Sequence, residues 1–233
     1  MGARGAWRVT PIIALVRLAR ISNLPTIWSN VLAASVLAGG MEASGLAIVL
    51  LAMSLLYTGG MVLNDAFDRE IDRRERPERP LPSGAITPFA AFAVGGGLLL
   101  AGVLGLASFG TESALAGLAL AGTILAYDAW HKGNPLSPVL MGLCRGLVYI
   151  GTALAAQAAL SGPILAAALA LLVYVVALTE LAKRGVGHVG ALIAAIALVD
   201  AAIAAAAGHG MAALICVACF VLTLVLQRFV SGT

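Results

Sequence analysis

Long apolar stretches separated by short polar intervals recur along almost the whole chain. A helix needs about 20 residues, at about 1.5 Å each, to cross a hydrocarbon core of about 30 Å. The stretches that approach this length run from Ser22 to Gly40, Gly45 to Leu63, Thr87 to Phe109, Ser113 to Tyr127, Ser137 to Gln157, Gly162 to Leu181, His188 to Ala207 and Met211 to Leu226, the fourth extending toward Trp130. They are continuously apolar, so eight helices are predicted; a β-barrel would instead show segments of about ten residues that alternate in polarity. Small residues dominate them, which permits close helix packing. The expectation is an all-α, polytopic transmembrane bundle forming a single domain over 1–233. The first span should persist as a helix, because it continues past Pro25 and Asn30 without the shape of a cleavable signal.

Composition removes the competing classes. The chain has 233 residues, of which 61% are hydrophobic and 11% charged, with a mean hydropathy of +1.01. A soluble globule cannot hide that much apolar surface, and a disordered chain would have far less of it. The 27 glycines show no three-residue period, and three cysteines are too few for a disulfide scaffold. Cys216 and Cys219 form a C-x-x-C, but they sit mid-span with apolar neighbours and are read as packing residues, as is Cys144.

Basic residues then orient the bundle, since loops rich in Lys and Arg stay on the cytoplasmic side. Arg4, Arg8, Arg17 and Arg20 precede the first span, and Arg69, Arg73, Arg74, Arg76 and Arg79 lie between the second and third. Lys132 follows the fourth span, Lys183 and Arg184 the sixth, and Arg228 the eighth. The opposite loops, around Glu42, Glu112, Ser161 and His209, carry neither Lys nor Arg. Both termini are therefore expected in the cytoplasm. The net charge of +3 reports this topology and contact with anionic lipid, and no nucleic-acid partner is expected.

Topology does not explain the acids on the same face. Asn64, Asp65, Asp68 and Asp72 continue directly from the second apolar span. A helical turn of about 100° per residue places all four within an arc of about 100°. Three carboxylates at a membrane boundary repel one another and lose solvation unless a cation compensates them. A set of oxygen donors selects a hard ion such as Mg²⁺, which usually shares its shell with substrate phosphate oxygens. Arg73, Arg74, Arg76 and Arg79 lie within reach of the same phosphates. For Glu70, Glu75 and Glu78, pairing with neighbouring arginines on a solvated surface is the preferred reading.

The pattern Asn64-Asp65-x-x-Asp68-x-x-x-Asp72, followed by Arg-Pro-Leu-Pro-Ser-Gly from Arg79 to Gly84, resembles the first aspartate-rich signature of the UbiA superfamily of intramembrane prenyltransferases. The likeness begins at Arg17-x-x-Arg20-x-x-Asn23 and Asn30 and extends into the sixth span, roughly four fifths of the chain. It implies a bundle, usually of nine spans, whose cytoplasmic-facing cavity binds a polyprenyl diphosphate through Mg²⁺ and joins the prenyl group to an acceptor. Tyr127 with Lys132 is similar to a family element that supports the diphosphate; the alternative is an aromatic belt beside a topological lysine. Arg145 lies several residues inside a span, so it should face a water-filled cavity or a partner, where it could hold the departing diphosphate; otherwise it snorkels to the interface. Asp200 is read as paired or protonated inside the bundle. His131 is read as interfacial, and Asp128 as a further ligand or a partner of Lys132.

Where the family usually carries a second D-x-x-x-D signature, the chain reads Glu180-Leu181-Ala182-Lys183-Arg184. Glu180 replaces the first acid and Arg184 reverses the sign of the second, so one metal is expected rather than two, with Lys183 and Arg184 meeting the diphosphate directly. The elements around Tyr127, Cys144-Arg145 and Thr179-Glu180 resemble the divergent UbiA-like branch known as EboC. The resemblance thus implies transfer of a prenyl group to a small aromatic or polar acceptor. Asp65, Asp68, Asp72 and Glu180 would hold metal, and Asp68, Lys132 and Arg145 would act at the reacting bond. Asn30, Asn64, Arg79, Tyr127, Lys132, Arg145, Lys183 and Arg184 would bind substrate. A protein that binds or moves an amphiphilic metabolite without chemistry is the rival. The family comparison points to a bacterial plasma membrane.

Overall fold

Pro25 opens the first long helix, where its missing amide proton costs nothing because first-turn amides have no intrahelical acceptor. In this computed structural model, which describes residues 18–185 and 187–230, a 3₁₀ turn (Ile21–Asn23) leads into α1 (Leu24–Leu37) and then α2 (Ala43–Glu75). There follow α3 (Pro88–Ala107), α4 (Thr111–Trp130), α5 (Ser137–Ala155), α6 (Gly162–Lys183), a broken pair α7 (Val189–Ala194) and α8 (Ile196–Ala206), and α9 (Gly210–Leu226). Among the described residues every regular element is helical. Arg4, Arg8 and Arg17 lie outside the described residues.

Six elements have the length and apolarity to cross a membrane: α2, α3, α4, α5, α6, and the interrupted α7–α8 counted as one. With the shorter apolar α9 and the 14-residue α1, the described residues hold eight helical elements where the sequence has eight apolar stretches; six of them are long enough to cross, and eight is one fewer than the family's usual nine. Helix α2 has 33 residues and so extends for about 50 Å, well beyond a core of about 30 Å. Its acidic C-terminal turns therefore stand clear of the hydrocarbon.

Neighbours in sequence pack as neighbours in space: α2 against α3, α4 against α5, α5 against α6, and α8 against α9, while α1 touches α2, α5, α8 and α9 from the middle. The α2–α3 contact relies on glycine. A Cβ on Gly95 would lie 2.6 Å from Leu63 Cγ, and one on Gly102 would lie 2.8 Å from the Ala52 carbonyl oxygen. Such contacts let backbones approach where no hydrophobic drive separates helix from lipid. The core divides into one cluster around Met53, Leu56, Leu106 and Leu120 and another around Tyr149, Leu171 and Ile196. The loops at Gly39–Glu42, Phe109–Glu112 and Gln157–Ala159 share grooves at one end of the bundle. Arg20, Arg79 and Lys132 gather around the acids at the other.

Candidate active site

The last turns of α2 present four polar side chains to neighbouring elements, and each finds a partner. Asp65 accepts from Arg20 at 3.2 Å and from Arg79 at 3.4 Å. Arg79 also donates to Asp72 at 2.8 Å. Asp68 faces His131 at 3.3 Å and Lys132 at 3.4 Å. Asn64 donates to Asp128 at 3.2 Å. All four α2 side chains are buried although three are carboxylates, which is tolerable only because each negative group meets a donor. The hydrogen bond that His131 donates to Asp68 favours the charged form of the ring and raises its pKa above the usual histidine value, against the effect of burial. His131 stacks on Tyr127 with ring centroids 5.0 Å apart.

Beneath this cluster lies an apolar cavity of about 80 Å³, bounded by α1, α2, α4 and α5. Its wall includes Tyr57, Gly60, Met61, Tyr127, Asp128 and Arg145. Arg145 is held from both ends of its guanidinium. One nitrogen donates to the Thr26 carbonyl at 3.2 Å and to Asn30 Oδ1 at 2.9 Å, and the other to Thr26 Oγ1 at 3.0 Å. Asn30 donates in turn to Asp200 at 2.7 Å, where Ser29 at 2.6 Å and Tyr149 at 2.7 Å also donate. A fully buried carboxylate on α8 thus takes three hydrogen bonds from α1 and α5, and the arginine is braced at the cavity wall behind them.

The structure brings Asn64, Asp65, Asp68, Asp72, Arg79, Tyr127 and Lys132 to one mouth, with Arg145 below it. Asn30 sits behind Arg145 and is fully buried. Glu180 pairs with Lys183 of its own helix at 3.5 Å, with both side chains 43% exposed, and Arg184 is exposed at the helix end. Among the described residues no ion pair joins Glu180, Lys183 or Arg184 to the acids of α2. Asp128 pairs with Asn64, and Lys132 with Asp68. Sequence reasoning missed Tyr57 as a cavity residue, although its position seven residues before Asn64 put it on the same helical face. It also gave Arg20 no role at the acids and read His131 as interfacial.

Whether these residues suit Mg²⁺ can be judged from the donors. They are hard oxygens, and Asp128 Oδ2 is buried with no hydrogen-bond partner among the described residues. Among the described residues no three metal-ligating side chains converge on one point; here the carboxylates are neutralised by Arg20, Arg79, His131 and Lys132 instead. The donor chemistry fits the ion, and taking it up would mean exchanging these cation partners.

A sequence profile described as the UbiA prenyltransferase family matches residues 22–231. The chain belongs to the UbiA prenyltransferase family. Among this member's relatives, a digeranylgeranylglyceryl phosphate synthase of Halobacterium salinarum strain R1 is 35% identical over 67% of this chain and 58% of its own length. One from Methanothrix thermoacetophila is 39% identical over 47% of this chain and 42% of its own. The chain spans about half the length of these curated relatives. A UbiA homologue from Archaeoglobus fulgidus bound to GPP and Mg²⁺ has the same fold, with a TM-score of 0.63 at 16% identity over 93% of this chain and 86% of that one. The apo UbiA homologue from Aeropyrum pernix K1 gives 0.60 at 17% identity over 90% and 98%. These relatives are archaeal, so they lend no support to a bacterial source.

Proposed function

We propose that this chain transfers a prenyl group from an isoprenyl diphosphate to a small aromatic or polar acceptor within the membrane, in a reaction that uses Mg²⁺. The observation that carries the reading is a cationic and carboxylate mouth set directly on an apolar cavity. The mouth suits a diphosphate and the cavity its hydrocarbon tail. In the reaction the allylic carbon–oxygen bond breaks, the diphosphate leaves with the electron pair, and the acceptor's nucleophile bonds to the freed carbon and gives up a proton. Asp65, Asp68 and Asp72, with Asn64 and Asp128, would hold the metal, which when bound neutralises charge on the diphosphate.

The remaining work falls to side chains. Arg20, Arg79 and Lys132 are bound to carboxylates here, and an arriving diphosphate offers them a more highly charged partner. Arg145, fixed by Thr26 and Asn30, places a permanent positive charge at the cavity wall, where charge on the leaving group would grow. Apolar walls exclude the water that would otherwise capture an allylic cation. The basic residues on the acidic end of the bundle support a cytoplasmic mouth and cytoplasmic termini. The relatives' names support glycerol-phosphate-type acceptors as the first polar class to try.

The unpaired second signature, with Glu180 turned to Lys183, keeps one rival in view: a binder or transporter that retains the diphosphate site without the chemistry. Purified protein in liposomes, radiolabelled geranyl diphosphate and a panel of aromatic and polyol acceptors separate the two. Catalysis predicts Mg²⁺-dependent diphosphate release that EDTA stops and Asp68→Asn lowers at least 100-fold, on the order of 3 kcal/mol in the barrier. Metal-dependent binding with no release would establish the rival instead.

A further inference from the structure

We propose that Asp200 is a positioning residue for the transfer: acting through Asn30, it holds the guanidinium of Arg145 facing the cavity. The inference rests on reading the cavity and its mouth as the site of a prenyl diphosphate.

Arg145 carries its charge into the wall of the cavity, yet its hydrogen bonds go to neutral acceptors, the Thr26 carbonyl, Thr26 Oγ1 and Asn30 Oδ1. An arginine inside a span needs a compensating partner. The carboxylate of Asp200 stands one amide away: Asn30 accepts from Arg145 through Oδ1 at 2.9 Å and donates through Nδ2 to Asp200 Oδ2 at 2.7 Å. Joined directly, guanidinium and carboxylate would lock together as fork and fork, and the arginine would turn from the cavity toward α8. With the amide between them, three of the five guanidinium N–H groups are held and two are left for an anion at the wall. The cavity is walled by α1, α2, α4 and α5, so Asp200 on α8 touches no ligand there and acts only through this relay.

The amide can serve in one orientation only. Arginine offers donors alone and a carboxylate acceptors alone. Flipped, Asn30 would set N–H against N–H on one side and oxygen against oxygen on the other. Asp200 selects the orientation, and it is itself fixed, with Ser29 donating to Oδ2 at 2.6 Å and Tyr149 to Oδ1 at 2.7 Å. Asn30 follows Thr26 by four residues on α1, and Tyr149 follows Arg145 by four on α5, so the same two helix faces hold the arginine on one turn and the carboxylate on the next. Ser29, Asn30, Tyr149 and Asp200 are all fully buried, where such bonds meet no competition from bulk water.

A double-mutant cycle tests the relay. It compares kcat and KM for geranyl diphosphate, with one acceptor and saturating Mg²⁺, for the full chain in liposomes as wild type, Asp200→Leu, Arg145→Met and the double variant. Each rate is normalised to the folded fraction. Asp200→Leu should lower kcat at least tenfold and leave KM within threefold. Asp200→Asn, whose oxygen still accepts from Asn30, should recover at least half of the wild-type kcat. In the Arg145→Met background Asp200→Leu should change kcat less than twofold, because the group it steers is gone. If Asp200→Leu fails to fold, Asp200→Ala takes its place in the cycle: water entering the vacated space both accepts and donates, so it satisfies the stranded donors without fixing the amide. An equal fall in both backgrounds, or an unchanged kcat in folded protein, overturns the inference and leaves Asp200 a structural tie, while the proposed transferase activity stands. A wild type that releases no diphosphate overturns both.

Discussion

Replacing Arg145 with methionine separates chemistry from support. In the structure the guanidinium makes three hydrogen bonds, to the Thr26 carbonyl, Thr26 Oγ1 and Asn30 Oδ1, and is 9% exposed. Losing them costs about 1–3 kcal/mol each, because the donor is charged. Against this, methionine of similar length removes a buried charge whose desolvation costs several kcal/mol. The two effects nearly cancel, so stability should change by no more than about 2 kcal/mol. Nothing offsets the loss at the cavity wall. A fixed positive group facing a departing anion is worth about 2.7–4 kcal/mol, so kcat should fall 100- to 1,000-fold. Arg145→Lys keeps the charge but cannot reach Thr26 and Asn30 together, and should retain about a tenth of the wild-type rate. Single-turnover release of labelled diphosphate, read beside the thermal midpoint in detergent, decides the matter. A methionine variant with a rate within threefold of wild type and a depressed midpoint would show Arg145 to be only a strut.

Asp200→Leu strands the Ser29, Asn30 and Tyr149 donors and should destabilise the bundle by about 2–5 kcal/mol in denaturant titration, with Asp200→Asn costing less than half as much; equal losses would show that the carboxylate's charge, not its hydrogen bonds, matters. Glu180→Gln should change turnover less than twofold, because the exposed pair with Lys183 contributes little; a fall beyond tenfold would put Glu180 in the site. Gly95→Ala places a methyl group 2.6 Å from Leu63 Cγ and should lower stability by about 1–3 kcal/mol in the same titration, and an unchanged midpoint would mean that α2 and α3 separate freely.

The helices were legible because burial in lipid demands a long apolar run, and each apolar stretch corresponds to one helical element among the described residues, the interrupted α7–α8 counted as one. The break at Ala195 was not, since neither glycine nor proline marks it; Ala195 has helical torsions and the two short helices meet there directly. The acidic face of α2 was equally legible, being a matter of spacing within one helix. Its partners were not. Which cation meets which carboxylate depends on how α4 and the segment after α2 return to α2, and charges at a given distance along the chain can pair in many ways. Thus Lys132 takes Asp68 and leaves Asp128 to Asn64. Asp200 shows the same limit: an acid in an apolar span must be satisfied, but its donors come from positions 29, 30 and 149 on two other helices.

The geometry of α2 ties the acidic mouth to the apolar cavity. At about 100° per residue, Met53, Tyr57, Gly60 and Met61 fall with Asn64, Asp65, Asp68 and Asp72 inside an arc of about 140°. One stripe of one helix is therefore apolar along the cavity and acidic at its mouth. A continuous helix is stiff, so Met53 lies about 18 Å along the axis from Asp65 whatever the loops do. If the carboxylates fix the diphosphate, the same rod fixes where the reacting carbon stands along the apolar stripe. A shift in register between α2 and its neighbours would then move both ends of the site together.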